Sequence, residues 1–190
     1  GAGFLKTLLL RRIGSTIYAG RHTTEKMLNE WGNESCIIDA SLFEEDDDYQ
    51  IIKNENSNMK DLSGAERSLL ERCLKAIEIN QDRDPKYHKV VEYIVDKNWL
   101  EFGCIVFSQY FDSIWWLANQ LSGDFPDEPV GIYAGGNNSG IILSGEYKRV
   151  ARDDLKEKVR QGQLRLLLGT DAASEGLNLQ RLGTLINLDL

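Results

Sequence analysis

The sequence predicts an α/β protein built on a parallel sheet and preceded by a mainly helical extension. Three observations predict it. From Asp84-Pro85 onward, apolar residues alternate between helical spacing and short continuous runs, the pattern of strands buried on both faces and separated by helices. The run Leu164 to Leu168 stops at Gly169-Thr170-Asp171, and a second run, Thr184 to Leu190, follows it. Before residue 84, the regular periods are helical.

Taken in order, Leu5, Leu9, Ile13 and Ile17 suit one helix, and Leu70, Cys73, Leu74 and Ile77 suit another. Between them, Glu44-Glu45-Asp46-Asp47-Asp48 and the Asn- and Ser-rich stretch Lys53 to Lys60 read as a surface linker. Ile37-Ile38 is the one strand-like fragment in this part. The predicted division is therefore a helical extension over 1–83, with an acidic linker near 44–60, and an α/β lobe over 84–190. In the lobe, Tyr87, Val90, Val91, Ile94 and Val95 recur at helical spacing, and Gly103 opens a strand at Cys104 to Phe107. Phe111, Ile114, Trp115 and Ala118 stripe the next helix. Val130 to Tyr133 is a short strand between Pro129 and Gly135-Gly136. Tyr147, Ala151, Leu155 and Val159 line a helix ending near Gly162, before the strand at 164–168.

Composition narrows the function classes. A hydrophobic fraction of 42% supports a packed core and excludes general disorder. The formal charge of −8 argues against a protein that coats nucleic acid nonspecifically, and it is compatible with local basic surfaces. No apolar run approaches the roughly 18 residues that span a bilayer, and no signal-peptide pattern is present. The expectation is a cytoplasmic, bacterial-type intracellular protein with no membrane partner. Cys36, Cys73 and Cys104 are odd in number and widely spaced, which predicts free thiols rather than a disulfide framework. His22 and His88 are isolated, so no metal site is expected.

The chemistry gathers where strands end. At Gly169-Thr170-Asp171 a hydroxyl, a carboxylate and backbone amides meet at a strand's carboxyl end, the place where open parallel sheets bind ligands. A threonine hydroxyl there can donate to a phosphate oxygen without reading a base. Ser108 and Gln109 end the strand at 104–107, and Ser108 suits the N-cap of the helix that follows. A helix start also presents amides and positive dipole to a phosphate. Tyr133 to Gly140, YAGGNNSG, is a turn whose Gly135 and Gly136 permit a close backbone approach. Lys148, Arg149 and Arg152 on the following helix form either a solvated face or a phosphate-binding stripe.

The stretch GTDAASEGLNLQ, Gly169 to Gln180, with Ile186-Asn187-Leu188-Asp189-Leu190 after it, resembles motif V of superfamily-two helicases in the version carried by Swi/Snf-like ATPases. Cys104 to Tyr110, CIVFSQY, resembles motif IV of the same enzymes. Phe4 to Gly20 is similar to the helical segment ahead of the second motor lobe in bacterial members, and Asp84-Pro85-Lys86 to the opening of that lobe. The resemblance implies a RecA-like lobe of the P-loop NTPase type, three layers about a parallel sheet, incomplete at its carboxyl end. It implies the second motor lobe of an ATP-dependent DNA helicase or translocase, working on duplex DNA with the first RecA-like lobe of the same protein as partner.

By that resemblance, Ser108, Gln109, Gly135, Gly136, Arg149, Gly169, Thr170 and Gln180 face nucleic acid, while Glu175, Gly176 and Asn178 line the ATP cleft between lobes. The implied cofactor is ATP, with Mg2+ held mainly by the first lobe. No G-x-x-x-x-G-K-[S/T] loop or Asp-Glu-x-His pattern occurs in the chain. The family's Q-x-x-G-R-x-x-R motif is expected beyond Leu190; its arginine is worth roughly 10³–10⁵-fold in related hydrolases. The chain by itself is therefore expected not to hydrolyse ATP. An RNA helicase, a restriction-type helicase and a non-catalytic binding or regulatory module with a helicase-like fold are the other readings. The absence of G-x-G-x-x-G after an early strand disfavours a dinucleotide enzyme.

Overall fold

The computed structural model describes residues 2–30, 64–80, 83–135, 137–170 and 181–189. The acidic run, the Asn-rich stretch, Ile37-Ile38 and Cys36 lie outside them. The chain divides into two compact units, Gly1–Asp84 and Pro85–Leu190.

The first unit contains helices α1 (Ala2–Ser15), α2 (Ile17–Glu30) and α3 (Gly64–Asn80), with α2 packed against both others. The expected stripe through Ile17 is interrupted. Thr16 ends α1 and caps α2, its Oγ1 accepting the Ala19 N–H at 3.0 Å, while Asp84 Oδ2 accepts the Ile17 N–H at 2.8 Å. A hydroxyl and a carboxylate satisfying two orphan amides explain why the apolar period does not run through as one helix. The buried face of α1 is Leu8, Arg12 and Ser15, one step around from the predicted Leu9 and Ile13. On α3 the prediction holds: Ile77 is buried, with Leu70, Cys73 and Leu74 half-buried.

The second unit is the α/β lobe. Helix α4 (Pro85–Val95) and the single turn α5 (Trp99–Phe102) precede β1 (Cys104–Ser108). Then come α6 (Phe111–Asp124), β2 (Val130–Tyr133), β3 (Gly140–Leu143), β4 (Glu146–Arg149), α7 (Arg152–Arg160), β5 (Leu166–Thr170) and β6 (Thr184–Asn187). The strands form one sheet in the order β4-β3-β2-β5-β1-β6. Strands β2, β5, β1 and β6 are mutually parallel, as predicted, and β3 and β4 add an antiparallel hairpin at one margin. In β1, β2 and β5 nearly every residue is buried, the condition of strands covered on both faces. Alternate side chains divide between the two covers. Ile105, Leu167 and Tyr133 pack with Leu155 and Val159 of α7, while α6 lies along β1, β2, β3 and β5. This is the three-layer arrangement of a RecA-like lobe.

One prediction is corrected here. Residues 147–151 do not begin a helix; Tyr147 lies on β4, and α7 starts at Arg152. Ser144 and Gly145 have φ of 51° and 79°, the positive pair of a two-residue I′ hairpin turn, which folds 140–149 back on itself. The turn is fastened at its tip. Ser144 Oγ donates to the Pro126 carbonyl at 2.9 Å, and the Gly145 N–H donates to Ser122 Oγ at 3.0 Å. The Tyr147 ring stands edge-on to Trp115, centroids 5.1 Å apart, and its hydroxyl donates to the Ser139 carbonyl.

Gly140 makes the hairpin possible. A Cβ there would stand 2.3 Å from the Tyr147 ring and 2.6 Å from the Lys148 carbonyl oxygen. The carbonyl is backbone and cannot swing away. Gly140→Ala is expected to destabilise the lobe by about 1–3 kcal/mol, the usual cost of overpacking. Gly123→Ala, whose Cβ meets nothing within 4 Å, should instead stabilise α6 by about 0.5–1 kcal/mol. Urea denaturation of both variants checks the pair, and equal effects would contradict the steric argument.

Candidate nucleic-acid interface

Connectivity determines where this sheet has a crevice. The connection from β1 leads to β2, past β5 on one side; the connection from β5 leads to β6, past β1 on the other. Neighbouring strands whose connections depart in opposite directions leave a gap at their carboxyl ends, and ligands of open α/β sheets bind there. The residues at those two ends are Ser108 and Thr170, and they are direct partners in the β1–β5 register. Paired residues of adjacent strands project to the same side of a sheet, so the two hydroxyls stand side by side.

Their surroundings differ. Ser108 is fully buried and its hydroxyl is engaged: Oγ donates to Asp189 Oδ2 at 2.8 Å and accepts the Tyr110 N–H at 3.1 Å. The predicted N-cap is therefore displaced by two residues. Helix α6 begins at Phe111 with Tyr110 in the cap position, and Ser108 closes the turn ahead of it. Gln109 is exposed, and its backbone N–H donates to Asp189 Oδ2 at 2.5 Å. Thr170 is only 4% exposed, and its Oγ1 has no hydrogen-bond partner among the described residues. A buried hydroxyl without a partner is unfavourable by about 1–3 kcal/mol.

Asp189 is the participant that sequence reasoning left without a role. It follows β6, and the approach to it is fixed. The Leu188 N–H donates to the Phe107 carbonyl at 2.9 Å, Lys86 Nζ donates to the Leu188 carbonyl, and Asn187 Oδ1 accepts the Asp189 N–H at 3.1 Å. Asp189 Oδ2 takes two donors, while Oδ1 is buried with no partner among the described residues. The partners lie 80 and 81 positions apart, so no local pattern announces them.

The other predicted residues separate into groups. Gly169 is buried inside β5, where a Cβ would come within 3.2 Å of both the Phe107 ring and the Tyr133 carbonyl. Its lack of a side chain serves strand packing. Gly135 is likewise buried, its carbonyl accepting the Asn138 N–H at 2.8 Å. Arg149 is exposed at the end of β4 rather than on a helix, and so is Lys148. With Ala134, Asn137, Ser139 and Arg152, Arg149 lines a cleft of about 400 Å³. Arg152 and Lys156 stand over the Tyr133 ring at 5.8 and 5.9 Å. The structure thus brings together Ser108, Gln109 and Thr170 at the crevice, and Arg149 with Arg152 at the cleft. Gly136, Glu175, Gly176, Asn178 and Gln180 lie outside the described residues.

Among the described residues, no cluster of His, Cys, Asp and Glu could hold a metal, and no helix is long and apolar enough to cross a membrane. Cys73 and Cys104 are free thiols, and burial pushes both pKa values up, with Thr184 drawing Cys104 partly back. Neither is poised as a nucleophile.

The two hydroxyls predict opposite stability effects. Ser108→Ala strips Asp189 and the Tyr110 amide of a partner and should cost about 1–3 kcal/mol. Thr170→Val, which replaces a hydroxyl unpartnered among the described residues with a methyl, should be neutral or stabilising by up to about 1 kcal/mol. Equal losses in chemical denaturation would show that the Thr170 hydroxyl is structural.

Comparison with known proteins fits this geometry. Over 87 residues the chain is 29% identical to the ATP-dependent RNA helicase FAL1 of Candida glabrata, covering 46% of this chain and 19% of that protein. The chain thus corresponds to about a fifth of the relative's length. Residues 86–190, the whole α/β lobe but its first residue, match the family described as helicase conserved C-terminal domain. With a sheet that switches direction at Ser108 and Thr170, and with more than half its length inside that match, the chain belongs to the helicase C-terminal domain family.

Proposed function

We propose that this chain is the second motor lobe of an ATP-dependent translocase, and that the carboxyl edge of its sheet holds the nucleic-acid backbone. The observation that carries this reading is Thr170: a buried hydroxyl without a partner among the described residues, at the switch point, beside Ser108. A donor kept unsatisfied at a ligand crevice is explained by a ligand that supplies the acceptor, and a phosphodiester oxygen is an acceptor common to every sequence. Exposed Gln109 borders the same edge, and Arg149 with Arg152 adds cationic surface at the cleft. In this reading Glu175, Gly176 and Asn178 face ATP, with Mg2+, and a first RecA-like lobe completes the nucleotide site. The protein works in the cytoplasm.

The substrate assigned by this reading is duplex DNA, on the strength of the Swi/Snf-like motif from Gly169 to Gln180. RNA is the second reading, supported by the similarity to an ATP-dependent RNA helicase. ATP hydrolysis by the protein that carries both lobes, measured at fixed salt with duplex DNA, single-stranded DNA or RNA, separates them. Stimulation by duplex DNA is the expected result, and stimulation by RNA alone would transfer the assignment to the second reading. Thr170→Val should lower that stimulation by about tenfold, the scale of one hydrogen bond to a charged acceptor. Full stimulation with intact folding would remove Thr170 from the interface.

A further inference from the structure

An anion already occupies the turn after β1, and the chain itself supplies it. The Ser108 hydroxyl and the Gln109 N–H, the two donors that a strand end of this type offers to a phosphate, are both spent on Asp189 Oδ2, at 2.8 and 2.5 Å. The same edge carries an opposite imbalance a strand away: Thr170 Oγ1 is a buried donor with no acceptor, and Asp189 Oδ1 is a buried acceptor with no donor, among the described residues. The carboxylate is thus held by one oxygen only, in a place where its other oxygen is cut off from water. A phosphate group at the crevice, with several acceptor oxygens, would offer acceptors to Ser108 and Gln109 and to Thr170, which Asp189 leaves without one.

We propose that Asp189 is an internal gate on the nucleic-acid-binding edge: its carboxylate and a backbone phosphate compete for the Ser108 hydroxyl and the Gln109 amide. This rests on the reading of the edge as a nucleic-acid site and adds its regulation. Binding then requires the carboxylate to withdraw, and Asp189 is held by a short tether, since Asn187 Oδ1 fixes its amide and Lys86 fixes the carbonyl before it. Whatever displaces the end of β6 releases the two donors. Competition between like charges for one pair of donors sets the sign of the effect: removing the carboxylate strengthens phosphate binding, where a purely supporting residue would weaken it.

The test is binding of a fluorescent duplex DNA oligonucleotide to the 190-residue chain over a range of salt, without nucleotide, for the native protein, Asp189→Ala, Asp189→Asn and Thr170→Val. Asp189→Asn keeps the shape and an acceptor but not the charge, which covers the case in which the alanine variant does not fold. The expected result is affinity raised about tenfold by Asp189→Ala, the scale of one charge-assisted hydrogen bond returned to the ligand. Asp189→Asn should give a smaller rise. The salt slope should steepen by about 0.9 for one further phosphate contact on duplex DNA. Unchanged or weaker binding by both Asp189 variants, with Thr170→Val still weakening binding, would overturn the gate and leave the edge as a nucleic-acid site. No binding by the native chain or by any variant would overturn the underlying reading, and the gate with it.

Discussion

The parallel pairing of β1 with β5 is the constraint on which the rest of the lobe depends. Five consecutive registered pairs, Cys104 with Leu166 through Ser108 with Thr170, join two strands buried on both faces. Their backbone groups have no water to turn to, so the ladder must be complete, and its register decides which side chains meet at the end. A slip of one residue would send Ser108 to the opposite face from Thr170 and separate Phe107 from the gap that Gly169 leaves for it. The crevice, the paired hydroxyls and the approach of Asp189 all follow from that one alignment. The helices on either face hold the alignment in place by covering it.

Much of this was legible in the chain. Buried parallel strands advertise themselves as unbroken apolar runs, so Cys104 to Phe107, Val130 to Tyr133 and Leu164 to Leu168 were each readable, with ends good to about two residues. The helical spacing of Val90 and Ile94, and of Ile114 and Ala118, pointed correctly to the buried sides. What escaped has two physical causes. The hairpin was hidden by ambiguity of period: Tyr147, Ala151, Leu155 and Val159 fall four apart, as a helix requires, although Tyr147 reaches its neighbours from a strand. The Ser144-Gly145 dipeptide was the local signal that could have separated the two. The second cause is sequence distance. Asp189 meets Ser108 and Gln109 across some eighty residues, and only the folded sheet makes them neighbours.

The site shows the same division. The motif placed Thr170 at a strand end, and there it lies; that its hydroxyl meets no acceptor among the described residues is visible only in three dimensions. Residue type told only part of the local structure at Ser108 and at Gly169. A serine before a helix suggests the N-cap, whereas this one closes the turn ahead of the helix, buried and engaged as both donor and acceptor. A glycine at a strand end suggests close approach of a neighbour, and at Gly169 the folded sheet shows one such neighbour, the Phe107 ring. The helical unit gives a parallel lesson at Thr16, where a short polar side chain and the distant Asp84 carboxylate end one helix and start another.

The two margins of the sheet are unequally defended. Strand β4 presents Glu146, Lys148 and Arg149 to solvent, and charge at an outer strand deters a stranger's backbone from pairing there. The opposite margin, β6, is Thr184-Leu185-Ile186-Asn187, uncharged throughout, with Leu185 56% exposed. Self-association in concentrated solution should therefore proceed from that side. A lysine at position 185 would then do more for solubility than any change to the hairpin, because it would put a charge on a strand that has no neighbour on its outer side among the described residues.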